Sequence, residues 1–148
     1  MIFEGKVIRP RRGSRYWEVK IHALGIFTQG NTEKDAYIMA ADALKTVVDK
    51  RNFSVEIIPT GRGKFLISAN DPTPLIARWL YRLRIESGLT VREAALRLGA
   101  SSPEAWARYE SGRASPTIEK LSDLLHAVAP ETKYALKKLS LPPLKKAS

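Results

Sequence analysis

The 148 residues are enough for one medium domain or two small ones, and 25 basic against 15 acidic side chains give a formal charge of +10 at pH 7. The chain contains no cysteine, which excludes a disulfide framework and a thiolate metal site, and it has no secretory signal and no apolar run near the ~20 residues that cross a bilayer. These properties favour a cytoplasmic protein with nucleic acid as a partner and no membrane contact.

The first 22 residues predict a β-hairpin. Residues 2–9 and 16–22 have strand patterns, and in the second strand Trp17, Val19 and Ile21 alternate with polar residues. The turn between them, RPRRGSR, is strongly basic. Its four arginines are either a solvated hairpin tip or an electrostatic contact to nucleic acid or a partner: Arg9, Arg11, Arg12 and Arg15.

A helix and three more strands are predicted before residue 70. A short strand around residues 26–29 precedes a helix capped by Thr32, with Asp35 placed to complete a capping box. Two strands, residues 54–58 and 64–69, follow the helix. Six apolar residues at helical spacing are expected to face the sheet: Ala36, Met39, Ala40, Ala43, Val47 and Val48. The expected fold of residues 1–70 is a small antiparallel sheet covered by one helix.

A domain boundary is predicted at residues 70–74, NDPTP. Its two prolines remove two backbone donors and bias the preceding residues toward extended conformations. The connection is short, so the two domains, residues 1–70 and 71–148, are expected to be in contact. The whole chain is thus predicted to be α+β, with an all-α second domain ending in a basic tail.

Residues 73–128 predict four amphipathic helices, and residues 131–139 a fifth through Tyr134, Ala135 and Leu139. Within this region, residues 89–116 have the pattern of a helix-turn-helix. Thr90 can cap the first helix, Ala95 and Gly99 occupy positions where crossing helices leave little room, and Gly99 closes the turn. Ser101 or Ser102 caps the second helix, with a capping box to Glu104 if the cap is Ser101. This second helix is the candidate for the DNA major groove.

The residues expected to contact DNA are those on the side of the second helix that does not pack against the core. If Trp106 and Tyr109 face the core, then Ser102, Glu104, Ala105 and Arg108 point outward. Arg108 can then donate to a guanine edge or, alternatively, pair with Glu104 on the helix surface. Three further residues lie at helix starts or after a helix end, where phosphates are contacted: Thr90, Arg92 and Arg113.

The C-terminal half resembles the Xre-type, phage-repressor-like DNA-binding domain, including the ending Tyr109-Glu110-Ser111-Gly112-Arg113-x-x-Pro116. The N-terminal half, with the string LGIFTQGNTEKDA at residues 24–36, resembles the HicB antitoxins. Gly25, Phe27, Gly30, Thr32, Asp35 and Ala36 match that family's pattern, whereas Leu24 and Asn31 replace an expected proline and aspartate. The resemblance implies a partial RNase H-like domain joined to a helix-turn-helix.

The HicB resemblance also implies a function and a partner. It indicates an antitoxin that blocks a HicA-type toxin, which cleaves messenger RNA, and that represses its own operon by binding operator DNA. Because the resemblance is concentrated at the third strand and the start of the helix, the residues expected to contact the toxin are Gly25, Phe27, Gln29, Asn31, Glu33 and Asp35. A homodimer or higher even oligomer is expected, since one recognition helix reads only a few base pairs.

The sequence does not predict an enzyme, a cofactor or a metal site. His22 and His126 lie in different domains, and Glu4, Glu18 and Glu56 alternate with apolar residues as on an exposed sheet face. The alternative to the antitoxin is a stand-alone transcriptional regulator whose N-terminal domain senses a ligand or mediates oligomerisation.

Overall fold

A computed structural model of the protein describes residues 1–141. Its strands are β1 (Phe3–Ile8), β2 (Trp17–Ile21), β3 (Ile26–Gly30), β4 (Val55–Gly61) and β5 (Lys64–Ala69). Its helices are α1 (Glu33–Val48), α2 (Thr73–Glu86), α3 (Val91–Arg97), α4 (Glu104–Glu110) and α5 (Ile118–Val128). A single 3₁₀ turn, His22–Leu24, separates β2 from β3, so His22 lies just outside the strand that was expected to contain it.

The five strands form one antiparallel sheet in the order β3-β2-β1-β5-β4. Alternation of side chains gives the sheet two different faces. One face is apolar, with Val19, Ile21 and Phe65 at 1% exposure or less, and α1 covers it. The other face is open and carries charged residues such as Lys6 and Lys20, which are paired across β1 and β2. The α+β expectation is confirmed, and β4 extends through Pro59 to Gly61 with a register shift.

Helix α1 begins at the predicted cap. Thr32 Oγ1 accepts the Asp35 N–H at 3.0 Å, but the Asp35 carboxylate accepts the Asn31 N–H at 2.7 Å and not that of Thr32. The side chains that the helix buries fully belong to Ala36, Ala40 and Leu44. The expectation for Val47 is wrong, since it is 44% exposed. Leu44 takes the inward position because it lies four residues after Ala40 on the same side of the helix.

The helical domain has its own hydrophobic core. Trp106 and Leu124 are fully buried in it, together with Leu80 of α2 and Ala94 of α3. The four helices predicted over residues 73–128 are confirmed as α2 to α5. Helix α2 also contributes Leu75 to the core of the sheet domain, while Trp79 contacts both cores. The two domains therefore share one helix at their junction.

The fifth helix predicted over residues 131–139 is wrong. Residues 132–141 are exposed and have no regular secondary structure. Tyr134 nevertheless contacts the helical domain, with its ring edge-on to Trp79 at a centroid distance of 5.3 Å. Partial burial, and secondarily the negative charge of Glu86, raises the pKa of Tyr134. Leu136 and Leu139 stay exposed, and a nine-residue segment with so little packing cannot offset the entropy of forming an isolated helix. Residues 142–148, which include the rest of the predicted basic tail, lie outside the described part.

The domains make direct contact, as the short connection predicted. Phe3 of β1 packs edge-on against Trp79 at 5.8 Å, and Arg78 Nε donates to the Leu24 carbonyl at 2.9 Å. At the connection itself, Lys50 Nζ lies 2.6 Å from the Asp71 carboxylate. These contacts place α2 beside the β1 start and the 3₁₀ turn. Within residues 1–141, no helix has the length and hydropathy required to span a membrane.

Candidate nucleic-acid interface

Helix α3 is held by a capping box. Thr90 Oγ1 accepts the Glu93 N–H at 3.2 Å, and the Glu93 carboxylate accepts the Thr90 N–H at 2.7 Å. The first of these bonds confirms the cap predicted for Thr90. Both bonds satisfy donors that the first turn of a helix leaves free, and the bond from the Thr90 N–H lowers the pKa of Glu93. On the inward side, Ala94 and Ala95 are essentially buried, so α4 can approach closely.

The structure confirms part of the prediction for the turn between α3 and α4. Gly99 adopts a φ of 77°, a conformation that side chains with a Cβ rarely adopt. At the start of α4, Ser102 Oγ accepts the Glu104 N–H at 3.3 Å. The residue at the N-cap of α4 is Pro103, which has no side-chain cap, so the prediction that Ser101 or Ser102 is the cap is wrong, although Ser102 supplies this one bond from the preceding position. The capping box from Ser101 to Glu104 does not form, because Glu104 is directed to a different partner.

Helix α4 has the two sides that its sequence predicted. Trp106 is fully buried and Tyr109 is half-buried against the same core, whereas Glu104 and Arg108 are exposed. The alternative pairing of Arg108 with Glu104 is absent: Glu104 instead lies 2.5 Å from the Arg113 guanidinium. Arg108 forms no salt bridge within residues 1–141, and its guanidinium lies 5.6 Å from the Tyr109 ring centroid. Arg108 is thus accessible for an external acceptor.

The other predicted DNA-contacting residues lie in α3, in α4 and in the turns that flank α4. Ser102 is exposed at the start of α4, Ala105 is half-buried, and Arg92 is exposed in the first turn of α3. Arg113 also donates from Nε to Ser111 Oγ at 3.0 Å. Because the Glu104–Arg113 pair is highly exposed, it contributes little to stability and can exchange for a phosphate contact. Arg97, by contrast, donates to the Ala127 carbonyl at 3.2 Å and fixes α5.

A buried ion pair holds α4 against α2, and the sequence did not reveal it. Arg84 Nε and Nη2 each donate to the Glu110 carboxylate at 2.7 Å, and Arg84 Nη1 donates to the Leu89 carbonyl at 2.8 Å. Trp106 Nε1 donates to the same carboxylate. The hydrogen bonds from Arg84 to Glu110 raise the pKa of Arg84 against the opposing effect of burial. The only sequence signal is an arginine on an otherwise apolar helix face.

The residues predicted to contact a toxin do not form one continuous surface. Phe27, which is 58% exposed, and Gln29 lie on the open face of the sheet. Asn31 and Glu33 are exposed at the start of α1. Gly25 faces the other domain instead, since a Cβ at this position would come within 2.5 Å of Arg82.

Asp35 is also less available to a partner than the sequence suggested. It is half-buried, and its carboxylate is engaged by the Asn31 N–H.

The α3–α4 pair, its buried side and its exposed basic side define a helix-turn-helix unit. Residues 75–132 match a family model described as a helix-turn-helix domain. The chain therefore contains a helix-turn-helix domain, which implies duplex DNA as a partner and a role in transcription. No curated protein matches the chain.

Proposed function

We propose that this protein is an antitoxin that binds operator DNA through α4, represses its own operon and neutralises a HicA-type toxin through its sheet domain. The observation that carries the DNA-binding part is the exposed Arg108, which has no salt-bridge partner in residues 1–141, on a helix whose opposite side is fixed by Trp106 and Glu110. A rigid support matters because base recognition requires a defined side-chain position. The proposal assigns the protein no catalytic activity.

The two kinds of arginine near α4 have different roles in this proposal. Arg108 donates in bidentate fashion to one guanine and so determines sequence preference. Arg92 and Arg113, with the hydroxyl of Thr90, contact phosphates and set register and affinity. Each neutralised phosphate adds about −0.9 to the slope of log affinity against log salt concentration. Binding to the promoter of its own gene, measured over a salt series, tests this part; affinity that does not depend on salt would contradict it.

The proposed repressor is at least a dimer. Two recognition helices about 34–36 Å apart would read two half-sites on one side of the duplex, which raises both affinity and specificity. The sheet domain or residues 134–144 would supply the contact; of the latter, residues 142–144 lie outside the described part. Sedimentation at micromolar concentration should give a dimer or a larger even oligomer. A monomer, together with a footprint that lacks inverted half-sites, would refute this part.

The antitoxin part is supported by the HicB-like segment and by its exposed side chains. Phe27 provides an exposed apolar contact on the sheet, and Glu33 and Asp42 provide exposed carboxylates on α1. A toxin that binds RNA is expected to be basic, so these carboxylates would be its charge partners. Residues 1–70 have a net charge of +5, but this charge does not repel a basic toxin over the whole domain. Most of the domain's basic side chains lie at two hairpin tips.

Co-expression of the full chain with the product of the adjacent gene tests the antitoxin part. The full chain is needed because Leu75 of α2 belongs to the core of the sheet domain. Growth should recover with the wild-type chain and fail after Glu33→Lys with Asp42→Lys, whereas Arg108→Ala should still neutralise the toxin. The absence of any rescue by the wild-type chain would count against the antitoxin.

One observation favours the stand-alone regulator as a second candidate. A cleft of about 350 Å³ lies between the end of α1, α2 and the turn after α4, and Lys50, Tyr81 and Glu110 are among its lining residues. A small ligand there would contact both domains and the end of the recognition helix. A neighbouring gene for a small basic protein with one catalytic histidine favours the antitoxin, and its absence favours the regulator.

A further inference from the structure

The turns of two hairpins lie side by side at one end of the sheet. Strands β1 and β5 are neighbours, with Lys6 opposite Lys64, so the β1–β2 turn and the β4–β5 turn leave the sheet at the same end. The Val7 N–H donates to the Gly63 carbonyl at 2.6 Å. A Cβ on Gly63 would come within 2.4 Å of the Val7 carbonyl oxygen, so only glycine permits this approach. The two turns therefore form one continuous surface.

This surface concentrates the positive charge of the sheet domain. Its seven basic residues, called the basic tip below, are Lys6, Arg9, Arg11, Arg12, Arg15, Arg62 and Lys64. Outside the basic tip, residues 1–70 carry five basic and seven acidic side chains. The whole positive excess of the domain is thus located at one end. Lys64 lies 3.9 Å from Glu4, and the other six form no salt bridge within residues 1–141.

The basic tip contains a cleft, and aromatic rings hold two of its guanidinium groups in place. Between the two turns is a cleft of about 480 Å³, whose lining includes Arg9, Arg62 and Trp17 and only one acidic residue, Glu33. The Arg9 guanidinium lies 5.7 Å from the Trp17 ring centroid. Arg15 lies 5.0 Å from the Tyr16 ring centroid and donates to the Tyr16 hydroxyl at 2.8 Å. Guanidinium groups held in this way keep further N–H donors for phosphate and lose less entropy when they bind.

We propose that the basic tip binds the phosphate backbone of duplex DNA, as a second surface separate from α3 and α4. Six cations that have no salt-bridge partner among the described residues, with little exposed apolar area, fit a polyanion better than a protein partner, because protein interfaces depend on an apolar centre. The tip is also remote from the helical domain. Helix α2 contacts Phe3, at the other end of β1, and a strand of this length spans roughly 17 Å.

This proposal rests on the DNA-binding part of the proposed function and extends it. A triple variant, Arg11→Gln with Arg12→Gln and Arg62→Gln, removes three exposed charges of the tip. The matched control, Lys45→Gln with Arg51→Gln and Lys133→Gln, removes three exposed charges elsewhere and has the same net charge. Both are compared with the wild type on a mixed-sequence duplex of about four helical turns, about 40 base pairs, over a salt series.

The tip variant should bind more weakly and its salt slope should be smaller by about 2 to 3, since each lost phosphate contact removes about 0.9. The control should keep a slope close to that of the wild type. Equal slopes for the two variants, or an unchanged tip variant, would overturn the proposal. A loss confined to single-stranded RNA of the same length would overturn it in favour of an RNA contact.

Two measurements separate this proposal from the proposed function. If Arg108→Ala relaxes sequence preference while the tip variant is unchanged, α4 reads DNA and the basic tip does not contact it. If the wild-type chain binds no duplex at all, the proposed function itself fails. Circular dichroism of each variant, with a thermal unfolding curve, confirms that the fold is retained before slopes are compared.

Discussion

Replacing Glu110 with alanine should destabilise the helical domain strongly. The carboxylate receives two hydrogen bonds of 2.7 Å from Arg84 and one from Trp106, and the side chains of Arg84 and Glu110 are only 10% and 12% exposed. Removal of one partner from a buried pair costs about 3–5 kcal/mol, because the remaining charge stays buried without compensation. Arg84 keeps its bond to the Leu89 carbonyl, and Glu110 also lines an open cleft. We therefore expect a loss of about 2–4 kcal/mol.

Urea unfolding of the variant measures this loss, and Glu86→Ala provides the control. Glu86 pairs with Arg82, and the Glu86 side chain is 52% exposed, so its removal should cost less than about 1 kcal/mol. A double variant, Arg84→Met with Glu110→Leu, replaces both charges by apolar groups and should recover most of the stability. If Glu110→Ala costs no more than Glu86→Ala, the assignment of this pair as the support of α4 is wrong.

Three further predictions concern other contacts of the fold. Thr90→Ala should cost about 1 kcal/mol in urea unfolding and Thr90→Ser much less, because the hydroxyl caps α3; equal losses would contradict the capping role. Gly30→Ala should cost about 1–3 kcal/mol, since the new Cβ would meet the Ala36 backbone nitrogen at 2.4 Å, and a neutral result would show that β3 and α1 separate easily. The Lys50 hydrogen bond lowers the pKa of Asp71. The ion pair therefore stabilises the fold above the ordinary carboxyl pKa of about 3.9, and this stabilisation is lost as the pH falls through the pKa of Asp71 in the folded protein. Asp71→Asn should remove this contribution to the pH dependence of the unfolding free energy, which unfolding curves from pH 7 to pH 3 measure. The contribution should be less than about 1 kcal/mol because the pair is partly exposed.

Local patterns predicted most of the secondary structure, because strands and helices impose their own periods on apolar residues. The strand from Lys64 to Ala69 and the caps Thr32 and Thr90 lie where the sequence indicated them. Periodicity says nothing about which distant residue will be a partner. The pair Arg84–Glu110 joins residues 26 positions apart, and the sequence supplied no rule that selects it.

The same limit applies to the residues predicted to contact a toxin. Gly25 was expected to contact a toxin because the family resemblance is concentrated at its segment, but α2 places Arg82 beside it. Asp35 was expected both to cap the helix start and to contact a toxin, and its carboxylate accepts the Asn31 N–H at the helix start. In both cases a tertiary or capping contact engages the residue that sequence resemblance marked as a binding residue. The exposed side of α4 was predictable because burial of Trp106 and Tyr109 fixes the rotation of a short helix.

If α4 reads DNA sequence, Arg108→Ala and Arg113→Ala should differ in their binding to duplexes from the protein's own promoter. Affinities are measured for the promoter sequence and for a set in which each base pair is substituted in turn. Arg108→Ala should cost roughly 1–3 kcal/mol and relax preference at one base pair, whereas Arg113→Ala should weaken all sequences similarly. Equal, sequence-independent losses from both substitutions would contradict sequence reading by α4.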